Sequence, residues 1–212
     1  KSGGFDFESG GEFEEETVDA WEAGLKTRLA GGSVELSASI FRSDFSDLQV
    51  AAWNGTAFVT SNAAEAQTQG IEIDGRWQIA DSWMLSGAVG FLDAEYDDFP
   101  AAVCTAAQQS QHAADTGLPP ATCTQDLSGK SLQFSPDWAG TLNLEYFTAL
   151  NSGLNLTAIV GVDFSDSYYT ALDLDPHSEQ DSFAKLNTRL QLAGEAGWSV
   201  ALVGKNLTDE ET

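Results

Sequence analysis

Apolar and polar residues alternate along most of this chain with a period of two, the spacing at which successive side chains leave opposite faces of a β-strand. Leu142, Leu144 and Tyr146 stand against Thr141, Asn143 and Glu145. Ile71, Ile73, Trp77 and Ile79 stand against Glu72, Asp74, Arg76 and Gln78, and Leu186, Leu190 and Leu192 against Lys185, Asn187, Arg189 and Gln191. Segments of this kind are predicted near 17–30, 33–50, 66–80, 83–97, 137–149, 154–169, 183–194 and 197–206. Each has the roughly 9–11 residues that a tilted strand needs to cross a bilayer. No helical period competes with them, so the expected class is all-β, with about eight strands.

The connections alternate between two kinds. Gly31-Gly32, Ala80-Asp81-Ser82, Asn151-Ser152-Gly153 and Gly194-Glu195-Ala196-Gly197 are short, built from residues that tolerate positive φ or bond their own backbone. Between them lie long segments near 51–65, 98–136 and 170–182, with the acidic opening 1–16 as a fourth. An antiparallel up-and-down sheet with one trimmed rim and one elaborated rim has this pattern.

Alternation sorts the strand residues into two faces. One carries Leu36, Ile40, Ile71, Ile73, Trp77, Leu142, Leu144, Leu156, Val160, Leu190 and Leu192. The other carries Glu22, Lys26, Arg28, Glu72, Asp74, Arg76, Glu145, Asp163, Lys185 and Arg189. The pattern by itself fits either a soluble barrel or sandwich with the apolar face inside, or a membrane barrel with that face in lipid. Charges of both signs at mid-strand suit a wet lumen. Trp77, Trp83 and Trp198 beside the short turns suit a lipid–water interface, and a strand as long as 33–50 suits a wall rising above a bilayer.

Charge narrows the partners. The chain has 33 acidic residues against 9 basic, a formal net charge of −24, so it has little with which to neutralise a run of phosphates, and nucleic acid is not an expected partner. With 42% hydrophobic residues it is not an acidic disordered tail either. Cys104 and Cys123 flank a stretch rich in Ala, Gln, Thr and Pro, without His at metal spacing. A disulfide stapling a long loop in an oxidising compartment is expected, with two unpaired thiols as the alternative. Lys1 opens the chain and Asn206–Thr212 closes it without a further strand, so both ends are expected to be cuts in a longer protein.

Several stretches, in order, resemble the β-barrel of TonB-dependent receptors. They are Lys1-Ser2-Gly3-Gly4-Phe5; Glu16 to Thr27 with its Trp21-Glu22-Ala23-Gly24-Leu25-Lys26 core; Asp47-Leu48-Gln49-Val50; Asn62-Ala63 followed by Gln69-Gly70-Ile71-Glu72; Gly129-Lys130-Ser131-Leu132 leading to Ser135-Pro136; and Lys205-Asn206-Leu207-Thr208-Asp209. The resemblance implies a barrel of about 22 strands enclosing an N-terminal plug. Residues 1–212 would supply part of the barrel domain, without plug or final strand. It implies an outer-membrane receptor of a Gram-negative bacterium, with short turns in the periplasm and long loops outside. Its partners would be a scarce extracellular solute, most often a ferric siderophore, the TonB energy-coupling protein acting through the plug, and outer-membrane lipid. The apolar set would then face lipid and the charged set the lumen.

No catalytic machinery is expected, since no nucleophile and base stand together, and no cofactor is implied. His112 and His177 are isolated in loops. The acidic opening Glu12, Glu14, Glu15 and Glu16 reads as a solvated loop before it reads as a divalent-cation site, and Asp173, Asp175, Glu179 and Asp181 lack calcium-loop spacing. Tyr168 and Tyr169 suit either ligand contact or an outer aromatic girdle. The competing readings are a soluble or surface β-barrel binding module, and a small structural outer-membrane barrel whose eight strands close on themselves.

Overall fold

The computed structural model describes residues 1–7, 10–53, 58–150 and 153–212. The alternating segments form one antiparallel sheet of eight strands: β1 (Thr17–Leu29), β2 (Val34–Trp53), β3 (Phe58–Ala80), β4 (Trp83–Asp98), β5 (Trp138–Leu150), β6 (Leu154–Ser165), β7 (Phe183–Gly194) and β8 (Ser199–Gly204). Each strand is hydrogen-bonded to the next in chain order, and β1 and β8 are the two edges. They do not pair with each other, so this sheet is not a closed eight-stranded barrel.

Three departures from the expected elements have identifiable causes. β2 and β3 run on into a long hairpin, so most of the segment 51–65 is strand. The ladder there passes register shifts near Phe45, Leu48 and Gln49, and Asp47 has a φ of 55°; such bulges break the period-two pattern that reads as a strand. The long connection after β4 contains a helix, α1 (Ala106–Thr116), where no helix was expected. Its start is fixed by a capping box in which Thr105 and Gln108 satisfy each other's backbone N–H, and its end by Gly117 at φ 69°. β8 stops at Gly204 rather than near 206, because Asn206 takes a φ of 49° and turns the chain back onto β7. There the Leu207 N–H bonds the Leu186 carbonyl and the Thr208 hydroxyl bonds the Ala184 carbonyl. Of the short turns, Asn151 and Ser152 lie outside the described residues.

The end of the sheet opposite the short turns holds a small dry core. Val50, Ala64, Ala66 and Tyr96 from the strands bury against Phe99, Ala102 and Leu127 from the 98–136 connection, with Leu172 and Leu174 from the 170–182 connection packed alongside. Phe99 is 1% exposed, and its ring lies 4.9 Å from that of Tyr96. Cys104 and Cys123 form a disulfide with a Cα separation of 5.7 Å, tying the two ends of the helical excursion together beside this core. The long connections therefore form a packed cap rather than free loops.

The opening segment is clamped to the β2–β3 hairpin by side chains that hold backbone. The Asn62 amide donates to the Glu14 and Asp47 carbonyls, while its oxygen accepts from the Glu14 N–H at 2.6 Å. Gln49 donates to the Ser2 and Glu14 carbonyls. Burial pushes the Glu16 carboxyl up, but the Gln49 N–H at 3.1 Å and the Lys1 ammonium at 3.0 Å outweigh it and hold it below the usual carboxylate range. A carboxyl with a depressed folded pKa stabilises above its unfolded pKa and loses that contribution as pH falls through the folded value.

Two outcomes follow. Phe99→Ala removes about 3–5 kcal/mol from the cap, the usual cost of emptying a buried Phe site. Hydrogen exchange should then quicken across 98–127 while β5–β7 amides keep their protection. Acidification through the low carboxylate range should release the opening segment, read as protease cleavage between 1 and 16. Glu16→Gln should show that cleavage already at neutral pH.

Candidate functional site, a polar wall beneath a loop cap

Residues paired across an antiparallel ladder share a face, so the register sorts the side chains without ambiguity. Arg28, Glu35, Arg76, Ser86, Asn143, Gly161 and Asn187 form one row across β1–β7, and Lys26, Ser37, Asp74, Ala88, Thr141, Asp163 and Lys185 form the next on that face. Glu72 and Glu22 lie in the two rows toward the cap, and Glu145 and Arg189 in the row toward the short turns. All ten charged residues singled out from the sequence thus share this face. Glu35 bridges Arg28 at 2.9 Å and Arg76 at 2.8 Å, and the Asn187 amide donates to Asp163 at 2.7 Å. Between the charges lie Ser37, Ser39, Ala88 and Gly90, so the wall is an open, shallow polar trough.

The opposite face collects the apolar residues, and all eleven named from the sequence lie on it. Successive rows read Leu25, Ala38, Ile73, Val89, Gly140 and Phe164; then Thr27, Leu36, Gly75, Gly87, Leu142 and Val162; then Leu29, Val34, Trp77, Leu85, Leu144 and Val160. Among the described residues nothing covers them. Leu144, Ile73 and Val160 are 37%, 38% and 48% exposed. At Gly140 the face comes close to its neighbours: a Cβ there would stand 2.5 Å from the Ala88 carbonyl oxygen and 2.7 Å from the Phe164 ring.

Toward the cap both faces change character. On the apolar side the row Ala23, Ile40, Ile71, Phe91 and Trp138 is followed by Trp21, Arg42, Gln69 and Asp93, then by Asp19, Asp44, Gln67 and Glu95. Arg42 pairs with Asp44 at 2.8 Å, and Gln69 donates to Asp93 at 2.9 Å. On the other side the charged rows give way to Phe41 with Leu92, then to Phe45, Ala66 and Tyr96. That is the surface on which the cap packs, so the cap sits over the polar trough's side of the sheet.

Within the cap, Tyr168 and Tyr169 are half-buried and paired with Gln180 and Glu179, and the exposed Phe134 ring lies 6.3 Å from Tyr168. His112 on α1 meets the Thr122 hydroxyl at 3.0 Å, and Asp175 accepts the His177 N–H. The Ser128 hydroxyl and N–H hold the Asp126 carboxyl below its ordinary range. Among the described residues no three His, Cys, Asp or Glu side chains converge as metal ligands would. The arrangement presents polar groups along a wall.

Sequence reasoning missed the capping core and the clamps made by Gln49 and Asn62. Phe99, Leu127 and Leu172 each stand alone in their segments, with no periodicity to announce them. Gln49 and Asn62 did lie in stretches that carried the family resemblance, and their hydrogen bonds supply a physical reason for those residue types.

A family model for TonB dependent receptor-like β-barrels matches residues 2–207. Among solved structures, the ferric yersiniabactin uptake receptor of Yersinia pestis aligns over 94% of this chain at 18% identity, with a TM-score of 0.69. The siderophore receptor PiuA of Acinetobacter baumannii aligns over 93% at 21% identity and 0.66. The ferripyoverdine receptor of the Pseudomonas aeruginosa outer membrane aligns over 97% at 14% identity and 0.60. The alignments cover 26%, 25% and 25% of those proteins, so this chain spans about a quarter of their length. No curated protein sequence matches it. The family match over nearly the whole chain, on a sheet with this register and these two faces, places the protein in the TonB-dependent receptor family as a portion of its β-barrel.

Proposed function

We propose that this chain is a sector of the wall of an outer-membrane importer in a Gram-negative bacterium, and that the parent receptor takes up a scarce extracellular solute, a ferric siderophore. The observation that carries the reading is the exposed apolar face of β1–β8, set back to back with a charged one. In water such a face would drive association; in a bilayer it is the surface that lipid requires. Leu36, Ile40, Ile71, Ile73, Trp77, Leu142, Leu144, Leu156, Val160, Leu190 and Leu192 would contact acyl chains. Glu22, Lys26, Arg28, Glu72, Asp74, Arg76, Glu145, Asp163, Lys185 and Arg189 would line the bore.

The wall's contribution to transport is physical. It supplies a rigid, internally hydrogen-bonded boundary, a wet surface along which a polar solute or a plug can move, and an outer mouth shaped by the cap. The plug and the TonB-contacting segment that the family resemblance implies would belong to the parent receptor outside these residues. Support for an iron complex as solute comes from the similar structures, which are receptors for ferric yersiniabactin, a siderophore and ferripyoverdine. The acidic balance of the chain speaks against nucleic acid as a partner. A soluble binding module is disfavoured by the same exposed face, which no other described residues cover.

The test is uptake of radiolabelled ferric siderophores by cells with and without the complete receptor gene. At least one ferric complex should accumulate only in cells carrying the receptor, and a protonophore should abolish that accumulation. Uptake indifferent to the receptor for every complex would remove the iron assignment.

A further inference from the structure

On β2–β4 the two faces of the sheet exchange character at the same level, while β1 keeps Glu22 on its charged face, and the exchange follows from the pairing register rather than from any single residue. On one face, four strands in a row pass from Ala23, Ile40, Ile71 and Phe91 to Trp21, Arg42, Gln69 and Asp93. On the other, Ser39, Glu72 and Gly90 give way within one row to Phe41, Gly70 and Leu92. Above that level the first face holds Asp19, Asp44, Gln67 and Glu95, and the second is buried under Phe99, Leu127 and Leu172. A sheet with lipid outside and water inside needs the lower pattern; a sheet with water outside and a dry core inside needs the upper one.

We infer that the hydrocarbon layer ends between these two rows, and that above them the outward face of β1–β4 meets the polar headgroup layer of the outer leaflet. The inference rests on the membrane reading proposed above and adds where that membrane stops. Length agrees with it. The outward apolar run on β3, from Ile71 to Ile79, covers roughly 26 Å of strand at ~3.3 Å per residue. At a tilt of ~40° it rises about 20 Å, close to the ~25 Å apolar band of such barrels once the flanking side chains are added. Aromatic rings mark both ends, with Trp77, Trp83 and Tyr146 toward the short turns and Trp21, Phe91 and Trp138 toward the cap. The ion pair of Arg42 with Asp44 and the neighbouring carboxylates Asp19, Asp93 and Glu95 are strongly disfavoured in hydrocarbon, which sets the boundary below them.

The headgroup layer is the occupant favoured for this upper surface because it continues without a gap from the apolar band and is polar throughout. The upper half of the β2–β3 hairpin then stands clear of the hydrocarbon, and its inner side serves as the anchor for the cap.

The experiment places single cysteines at Ile73, Ile71, Gln69 and Gln67 in the complete receptor, reconstituted in vesicles, and attaches a nitroxide to each. The Cys104–Cys123 disulfide keeps the native thiols out of the labelling. Relaxation by oxygen, which concentrates in acyl chains, is compared with relaxation by a neutral nickel chelate confined to water and headgroups. Oxygen should dominate at Ile73→Cys and Ile71→Cys, and the order should invert at Gln69→Cys and Gln67→Cys. Oxygen dominance at all four sites overturns the boundary while leaving the membrane reading intact. Nickel dominance at all four overturns the membrane reading itself. Protection of Gln67→Cys and Gln69→Cys from both reagents also overturns the inference, since the surface would then be covered by protein.

Discussion

Backbone pairing between neighbouring strands is the constraint from which the rest of this structure follows. A strand cannot satisfy its own N–H and C=O groups, and hydrocarbon offers no substitute, so a strand that crosses a bilayer must be flanked on both sides. Six of the eight strands here are. Once the pairing is set, the period of two fixes every side chain's face, and a register slip of one residue would turn Ile73 inward and Asp74 outward. The two edges, β1 and β8, carry the unmet half of the constraint. In the membrane account they are continued by other strands of the parent barrel, because bare edges invite pairing with foreign chains.

The same sheet performs two jobs along its length. Near the short turns it has one apolar face and one charged face, the latter carrying cross-strand ion pairs such as Arg28–Glu35–Arg76. Such solvent-screened pairs contribute little stability, so in the membrane account they matter as bore chemistry rather than as staples. Near the cap the sheet is an ordinary half-buried support, with Tyr96 and Phe99 at the centre of a dry core. The disulfide and the capped helix α1 stiffen what would otherwise be a long connection.

The sequence made the wall legible because each face meets one uniform environment over many residues. Leu142–Tyr146 alternates cleanly for that reason, and so does Ile71–Ile79. It was least legible where the environments exchange. The strand was expected to begin near 66, but it runs on beyond that point: Ala64 and Ala66 are small and apolar on the inward side, Glu65 and Gln67 polar on the other, and a bulge in the facing strand interrupts the count, so residues before 66 were read as loop. The cap was hidden for another reason: its core draws one or two residues from each of several segments. The helix left a signal that went unused, the Thr105-to-Gln108 capping box ahead of an Ala- and Gln-rich run, but its apolar side is too weak to stand out by period. The cysteine pair was readable from spacing and from the absence of metal-ligand neighbours.

The account stands on the direction in which the apolar face looks, and acyl-chain contact measures that most directly. The complete receptor, reconstituted with phospholipids bearing a photoreactive diazirine deep in one acyl chain, would be irradiated and its adducts located by mass spectrometry. Adducts are expected at Ile73, Leu85, Leu144 and Val160, with none at Asp74, Ser86, Asn143 or Asn187, their neighbours one residue away on the other face or in the adjoining row. Adducts on the charged set, or an apolar set that remains unlabelled, would contradict it.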